Sequence, residues 1–295
     1  MKVLLLGPNG QLGHDLTAAH AAAPDRVAGG IELIPFGRDK LDVSAPAGIA
    51  ETLSGVEFDA LVNCTSYHKT DEVEDAGSRA MAVNAHAPQQ LARICAERGA
   101  RFVHISTDYV FGGDTARATP LPEDAPTAPV NVYGASKALG ETLASLAGEP
   151  TILRVASLYG VAGASGKGGN FVETMIRFGR ERGALKVVDD QRMSPTATAD
   201  IAVVILRMLR EGAAPGLWHV AGGGEASWFE FASEIIRQAG IEADMTPCAS
   251  SEFPTRALRP GYSVLDASKL ASAFAPMPDW RESLGRYLKA KGHLG

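Results

Sequence analysis

Five short apolar runs, separated by helical patterns, constrain this chain more than any other feature. They are KVLLLG (2–7), IELIPF (31–36), DALVNC (59–64), RFVHIST (101–107) and TILRVA (151–156). None alternates apolar with polar residues, as a strand with one wet face would. Continuous apolar strands are what a parallel sheet covered on both faces requires. Between the runs lie helical patterns at Gln11–Ala23, Ala45–Ser54, roughly Asp75–Arg98, and Ala135–Leu146. This β-α-β-α order predicts an α/β fold built on a doubly wound, Rossmann-like parallel sheet.

Residues 1–158 are expected to form the dinucleotide-binding unit. ALKVVDD and DIAVVILRMLR, within about 185–210, are expected to return to its sheet. Segments 159–184 and 211–295 read as a smaller C-terminal α+β lobe for substrate. Two loops punctuate the chain, LPEDAPTAPVN (121–131) and the glycine-rich GVAGASGKGGN (160–170).

Composition closes off several classes. Hydrophobic residues at 45% and charged residues at 21% exclude disordered and collagen-like chains. No apolar run approaches the ~20 residues that span a bilayer, and MKVLLLGPNG is too short for a signal sequence. Cys64, Cys95 and Cys248 form no metal pair or disulfide ladder, which predicts a reducing, cytoplasmic setting. A net charge of −6 argues against general nucleic-acid binding, though not against a small anionic ligand.

Gly7, Gly10 and Gly13 fall at intervals of three behind the first run. With 32 glycines in the chain, that spacing is expected about 0.4 times by chance, so context has to decide. The context is a strand before and an amphipathic helix after. There Gly7 turns the chain, Gly10 lets backbone approach a pyrophosphate, and Gly13 lets helix pack on strand. The helix start at Gln11 and Leu12 supplies N–H donors to the anion. An NAD-preferring site places a carboxylate after the second strand, and an arginine there accommodates a 2′-phosphate. Here Gly37 and Arg38 follow that strand and Glu32 lies too early to reach a ribose. Arg38, with help from Lys40, therefore predicts NADPH, with NADH left open, and Asp42 and Val43 flank the adenine.

Tyr133 and Lys137 in NVYGASKALGE stand four apart and share a helix face. A phenol of pKa about 10 is a poor proton donor near neutrality unless tuned. A neighbouring ammonium, and the charge of an oxidised nicotinamide, would stabilise phenolate. Thr107, at the carboxyl end of the fourth run, can hydrogen-bond a developing alkoxide. His104, mid-strand, reads as a satisfied core histidine. Asp71, Glu72, Glu74 and Asp75 read as a solvated helix start, and Trp218, Trp228 and Trp280 as packing.

The ordered motifs GPNGQLG, VNCTSYHKTDEVE, HISTDYVFGG, NVYGASKALGE, QRMSPTATADIA, LWHVAGGGEASWFEFA and PTRALRPGYSVLD carry a resemblance. The chain resembles the dTDP-4-dehydrorhamnose reductase family of extended short-chain dehydrogenases over nearly its whole length. The resemblance implies NAD(P)H-dependent reduction of the 4-keto group of a nucleotide-linked 6-deoxysugar, dTDP-4-dehydrorhamnose to dTDP-rhamnose. It makes Thr107, Tyr133 and Lys137 the catalytic set, Tyr133 protonating the C4 oxygen and Lys137 holding the ribose. Cys64, Thr65 and Ser66 occupy the segment that lines the nicotinamide. Asp108, Ser157, Asn170 and Arg259 are the candidate substrate contacts, the last two on a pyrophosphate. Ser157 stands where family members often carry tryptophan, and loop 160–170 is longer than expected. Some members bind Mg²⁺ through carboxylates at a dimer contact. Asp15 matches one such position without identifiable partners, so a homodimer stays open and no metal site is placed.

Alternatives remain at this point. A 4-ketoreductase of another nucleotide-deoxysugar fits the same motifs. Dehydratases carry Asp-Glu behind the threonine, whereas Asp108 is followed by Tyr109 here; epimerases that recycle NAD fit poorly with Arg38. A non-catalytic relative, the regulatory subunit of methionine adenosyltransferase, is disfavoured by the intact Thr107, Tyr133 and Lys137.

Overall fold

The computed structural model describes residues 1–22, 29–163 and 169–294. Strands β1 (Lys2–Leu6), β2 (Glu32–Phe36), β3 (Ala60–Asn63), β4 (Arg101–Thr107) and β5 (Thr151–Val155) lie in one sheet with a sixth strand, Gly216–His219. Every pairing is parallel, in the order Gly216–His219, β5, β4, β3, β1, β2. The chain leaves β1 first to one side and then to the other. The crevice beyond β1 and β3 is thus the topological switch point at which open α/β sheets bind ligands.

The apolar runs are unbroken because alternate side chains enter different cores. Val3 and Leu5 pack with Leu12 and Leu16 of helix α1 (Gln11–Ala22) and with Ile201 and Ile205 of the helix Thr198–Glu211. Leu4 and Leu6 pack on the other face with Ile49, Leu53 and Leu91. Successive strand residues point to opposite faces, so both sets must be apolar. Burying each such side chain contributes about 1.5–3 kcal/mol. β2 departs from the expectation of two covered faces, since Glu32 and Pro35 are exposed. It is the outer strand of the sheet, where a proline is tolerated.

A second core lies beside the sheet. Helices Phe171–Arg182, Trp228–Gln238 and Trp280–Ala290 gather Val172, Ile176, Phe231, Ile235, Trp280 and Leu284. Ala184–Val188 pairs there with Asp244–Cys248, so the strand expected to return to the large sheet does not. Its burial alternates, as in a strand with one wet face. Gly216–His219, expected in the smaller lobe, instead extends the large sheet beside β5 and buries Trp218 and His219. Four residues opening on glycine give too short a pattern to reveal a strand.

The other helices also differ in detail. The pattern 45–54 resolves into a 3₁₀ turn, Pro46–Gly48, and a short helix, Ile49–Leu53. The 75–98 pattern becomes Gly77–Met81, a π-helical turn Ala82–His86, and Ala87–Glu97. The tyrosine-bearing helix runs Val132–Ala147, because Asn131 caps it by accepting the Gly134 N–H. Ala23 and residues 164–168 of the glycine-rich loop lie outside the described residues. Among the described residues no helix is long and apolar enough to cross a membrane, and all three cysteines are free.

Candidate active site

A cleft of about 910 Å³ opens at the carboxyl ends of the strands. Gly7 reverses the chain after β1 with φ +78°, a left-handed conformation that suits glycine. A methyl group on Gly13 would lie 2.1 Å from the Gly7 carbonyl oxygen, so α1 can approach the turn only with glycine there. α1 has no acidic residue in its first turn and points its amino end, with its N–H groups, at the cleft. Gly7, Gly10, Gln11 and Leu12 line the cleft, and Gly13 stands behind them as the packing residue. The Gln11 side chain accepts from Gly160 N at 3.0 Å, tying the turn to the loop beyond β5.

Arg38 lines the rim and donates to Asp42 Oδ2 at 3.0 Å through Nη2. Asp42 also accepts the Ser44 N–H at 2.9 Å; that bond, more than Arg38, holds its carboxyl below the usual range. Val43 lies in the wall beside them. Lys40 does not reach the cleft: its ammonium sits 5.1 Å from the Phe36 ring centroid and bonds Pro35 O. The Arg38 guanidinium is thus exposed at this rim, while the Asp39 carboxylate folds back over Gly37 at the end of β2.

Tyr133, Lys137, Thr107, Cys64, Thr65 and Ser66 all line the same cleft. Thr107 and Ser66 stand beside Tyr133 in this wall, and both favour its phenolate. Burial pushes its phenol up to about 12 against the pull of Thr107 and Ser66, and the lowering expected from Lys137 is not seen. The lysine explains why. Its side-chain nitrogen is turned to the Ile105 carbonyl at 2.5 Å and to His104 Nε2 at 3.2 Å. Burial brings Lys137 itself down to about 8. The phenol of the free protein therefore keeps its proton at neutral pH. Thr107 donates to Asp108 Oδ1 at 3.0 Å and accepts the Tyr109 N–H at 3.2 Å. Its one proton is committed, so donation to an alkoxide requires the hydroxyl to rotate off Asp108. Asp108, pushed up to about 6 by burial, also accepts from Ser263 at 2.6 Å.

The other candidate substrate contacts converge unevenly. Ser157 lines the cleft with φ +42°, a backbone conformation uncommon outside glycine and a form of strain that clusters at functional sites. Asn170 caps the helix Phe171–Arg182 by accepting Glu173 N–H at 3.1 Å, and donates to Gly160 O and Tyr287 Oη. It reaches the cleft wall, yet its polar atoms are already bonded. Arg259 lines the mouth, donating to Asp71 Oδ2 at 2.9 Å and reaching Tyr109 Oη at 3.4 Å. Asp15 is buried and bonded to Thr198 and His14. Among the described residues no group of three or more His, Cys, Asp or Glu is placed to hold a metal.

Several residues around the cleft are placed differently from the expectation. The acidic run is no simple solvated helix start. Asp71 accepts from Arg259 and from Ala257 N, Glu74 accepts the Val132 N–H, and Asp75 pairs with Arg256. It clasps the 254–259 segment and the start of the tyrosine helix. Trp228 and Phe171, 4.7 Å apart between ring centroids, form an aromatic wall of the cleft. Such partners lie too far apart in the chain for any periodicity to reveal.

A family model described as RmlD substrate binding domain matches residues 1–292. The chain belongs to that family. Within it, the chain is 36% identical over 287 residues to dTDP-4-dehydrorhamnose reductase of Mycolicibacterium smegmatis, covering 96% of this chain and 84% of that one. The crystal structure of dTDP-4-dehydrorhamnose reductase from Bacillus anthracis in complex with NADP superposes with a TM-score of 0.88. Identity there is 35%, covering 98% of this chain and 99% of that one. A dTDP-4-dehydrorhamnose reductase from Clostridium acetobutylicum is similar at TM-score 0.89 and 34% identity, with 98% and 99% covered. The RmlD family thus accounts for sheet, second core and cleft together.

Proposed function

We propose that this chain is an NADPH-dependent reductase of the 4-keto group of a nucleotide-linked 6-deoxysugar, converting dTDP-4-dehydrorhamnose to dTDP-rhamnose. One observation carries the reading: the Gly7–Gly13 turn and the Tyr133–Lys137 pair, 120 residues apart in sequence, line one cleft in a chain of the RmlD family. The turn fits the pyrophosphate of a dinucleotide, and Arg38 fits the 2′-phosphate. When bound, NADPH supplies the hydride that reduces the sugar carbonyl.

The chain's own residues do the rest. Tyr133 donates its phenolic proton to the C4 oxygen as that oxygen gains charge. Thr107 and Ser66 hold the phenol in place, and Lys137 binds the ribose and stabilises phenolate once the proton has left. Arg259 exchanges Asp71 for a substrate phosphate, and Trp228 and Phe171 give the sugar nucleotide an apolar wall. Cys64, Cys95 and Cys248 remain thiols in a reducing compartment, the cytoplasm.

Purified protein given NADPH and dTDP-4-dehydrorhamnose is expected to oxidise the cofactor in step with appearance of the 4-hydroxy product. No turnover with this or any other 4-keto-6-deoxysugar nucleotide would remove the enzymatic reading. Replacing Arg38 with alanine is expected to raise the Kd for NADPH about tenfold, the loss of one solvent-exposed charge contact of about 1.4 kcal/mol. NADH binding should change little; equal losses for the two would deny Arg38 its contact with the 2′-phosphate.

A further inference from the structure

His104 sits in the core with no exposed surface, and both ring nitrogens have partners. Nδ1 faces Asn63 Nδ2 at 3.2 Å, and Nε2 faces the Lys137 nitrogen at 3.2 Å. Asn63 is not free to turn over. Its Oδ1 accepts the Thr65 backbone N–H at 3.1 Å and the Thr65 hydroxyl at 2.5 Å, and a backbone N–H can only donate. The amide NH₂ therefore points at His104, whose Nδ1 must be the acceptor. Burial holds His104 neutral, well below its ordinary pKa. A neutral imidazole carries one N–H, so that proton lies on Nε2, aimed at Lys137. An ammonium cannot accept it; a neutral amine can, while still donating to Ile105 O.

We infer that His104 sets the charge of Lys137. Locked by Asn63 as the Nε2–H tautomer, it donates to the lysine and favours the neutral amine in the free protein. The ammonium forms only when the lysine nitrogen is drawn off His104 towards a bound dinucleotide, taking up one proton from solvent. His104 is thus a positioning residue that touches no substrate.

The groups facing Lys137 bear on this balance in both directions. Cys64 at the end of β3, and Glu141 one turn on along its own helix, favour the ammonium. Glu141 is already engaged by Arg154 from β5 through paired bonds of 2.7 and 3.0 Å. Tyr133, one turn before Lys137, keeps its proton. Burial takes Lys137 down to about 8 against the pull of Glu141 and Cys64, and a proton donated from His104 moves it further the same way.

The kinetic consequence rests on the proposed role of Lys137 in reduction, whereas the tautomer does not, so the two can fail separately. Nitrogen-15 NMR of the histidine-labelled protein without substrate is expected to show His104 with Nε2 protonated and Nδ1 bare from pH 6 to 9. A protonated Nδ1 would overturn the inference whatever the enzyme's activity. In His104→Gln, whose side-chain carbonyl can accept from the ammonium, the Lys137 titration seen with labelled lysine should move up by at least tenfold in proton affinity. The lysine-dependent limb of kcat/KM against pH should follow it. A Lys137 titration unchanged in that variant would also overturn the inference. Correct tautomer and titration in a protein that reduces no ketone would instead count against the functional proposal alone.

Discussion

Tyr133→Phe is expected to lower ketone reduction by roughly 10²–10⁴-fold, the range for loss of a positioned general acid. Its binding of NADPH should stay close to that of the parent. The Tyr133 ring is half-buried in the cleft wall, so the variant keeps the ring and removes only the proton donor. The Tyr109 ring, 5.9 Å away in an edge-on contact, keeps its packing partner. A fall confined to KM would mean that Tyr133 binds without donating. Turnover within a few-fold of the parent would assign the proton to another group, of which Asp108, pushed up to about 6 by burial, is the nearest alternative.

The second large effect is on stability. Arg154 and Glu141 form an ion pair with side chains 2% and 7% exposed, joining β5 to the tyrosine helix. Ser106 of β4 donates to the same carboxylate at 2.5 Å, and Arg154 also lies 5.0 Å from the Phe111 ring centroid. Arg154→Met leaves Glu141 buried with one neutral donor, and removing one partner of a buried pair typically costs about 3–5 kcal/mol. Denaturant unfolding should show that loss, and Glu141→Leu in the Arg154→Met background should recover part of it. If the single variant loses less than about 1 kcal/mol, water must reach the carboxylate and the pair is not a closed buried bridge.

The central sheet was legible because its inner strands are buried on both faces, and that burial leaves an unbroken apolar run in the sequence. β4 ends at Thr107, where the run stops. The same logic failed where burial is partial: Ala184–Val188 alternates and belongs to the second core, while Gly216–His219 is too short to stand out. In the site, the glycine turn and the Tyr133–Lys137 spacing are local patterns, so they could be read along the chain. What holds them is not local. His104 reads as a core histidine and is one, but its partner Lys137 stands 33 residues on. Asp71 reads as a solvated charge, but its partner Arg259 lies 188 residues away. The expected lowering of the Tyr133 phenol is not seen either, since sequence spacing says nothing of desolvation, which is the largest influence here.

The most direct test of the account is the fate of one hydride. With NADPH deuterated at the transferred position of nicotinamide C4 and dTDP-4-dehydrorhamnose as acceptor, NMR of the product should find deuterium at sugar C4 and solvent hydrogen on its oxygen. A product carrying solvent hydrogen at C4, or cofactor that keeps its deuterium while the sugar changes, would contradict it.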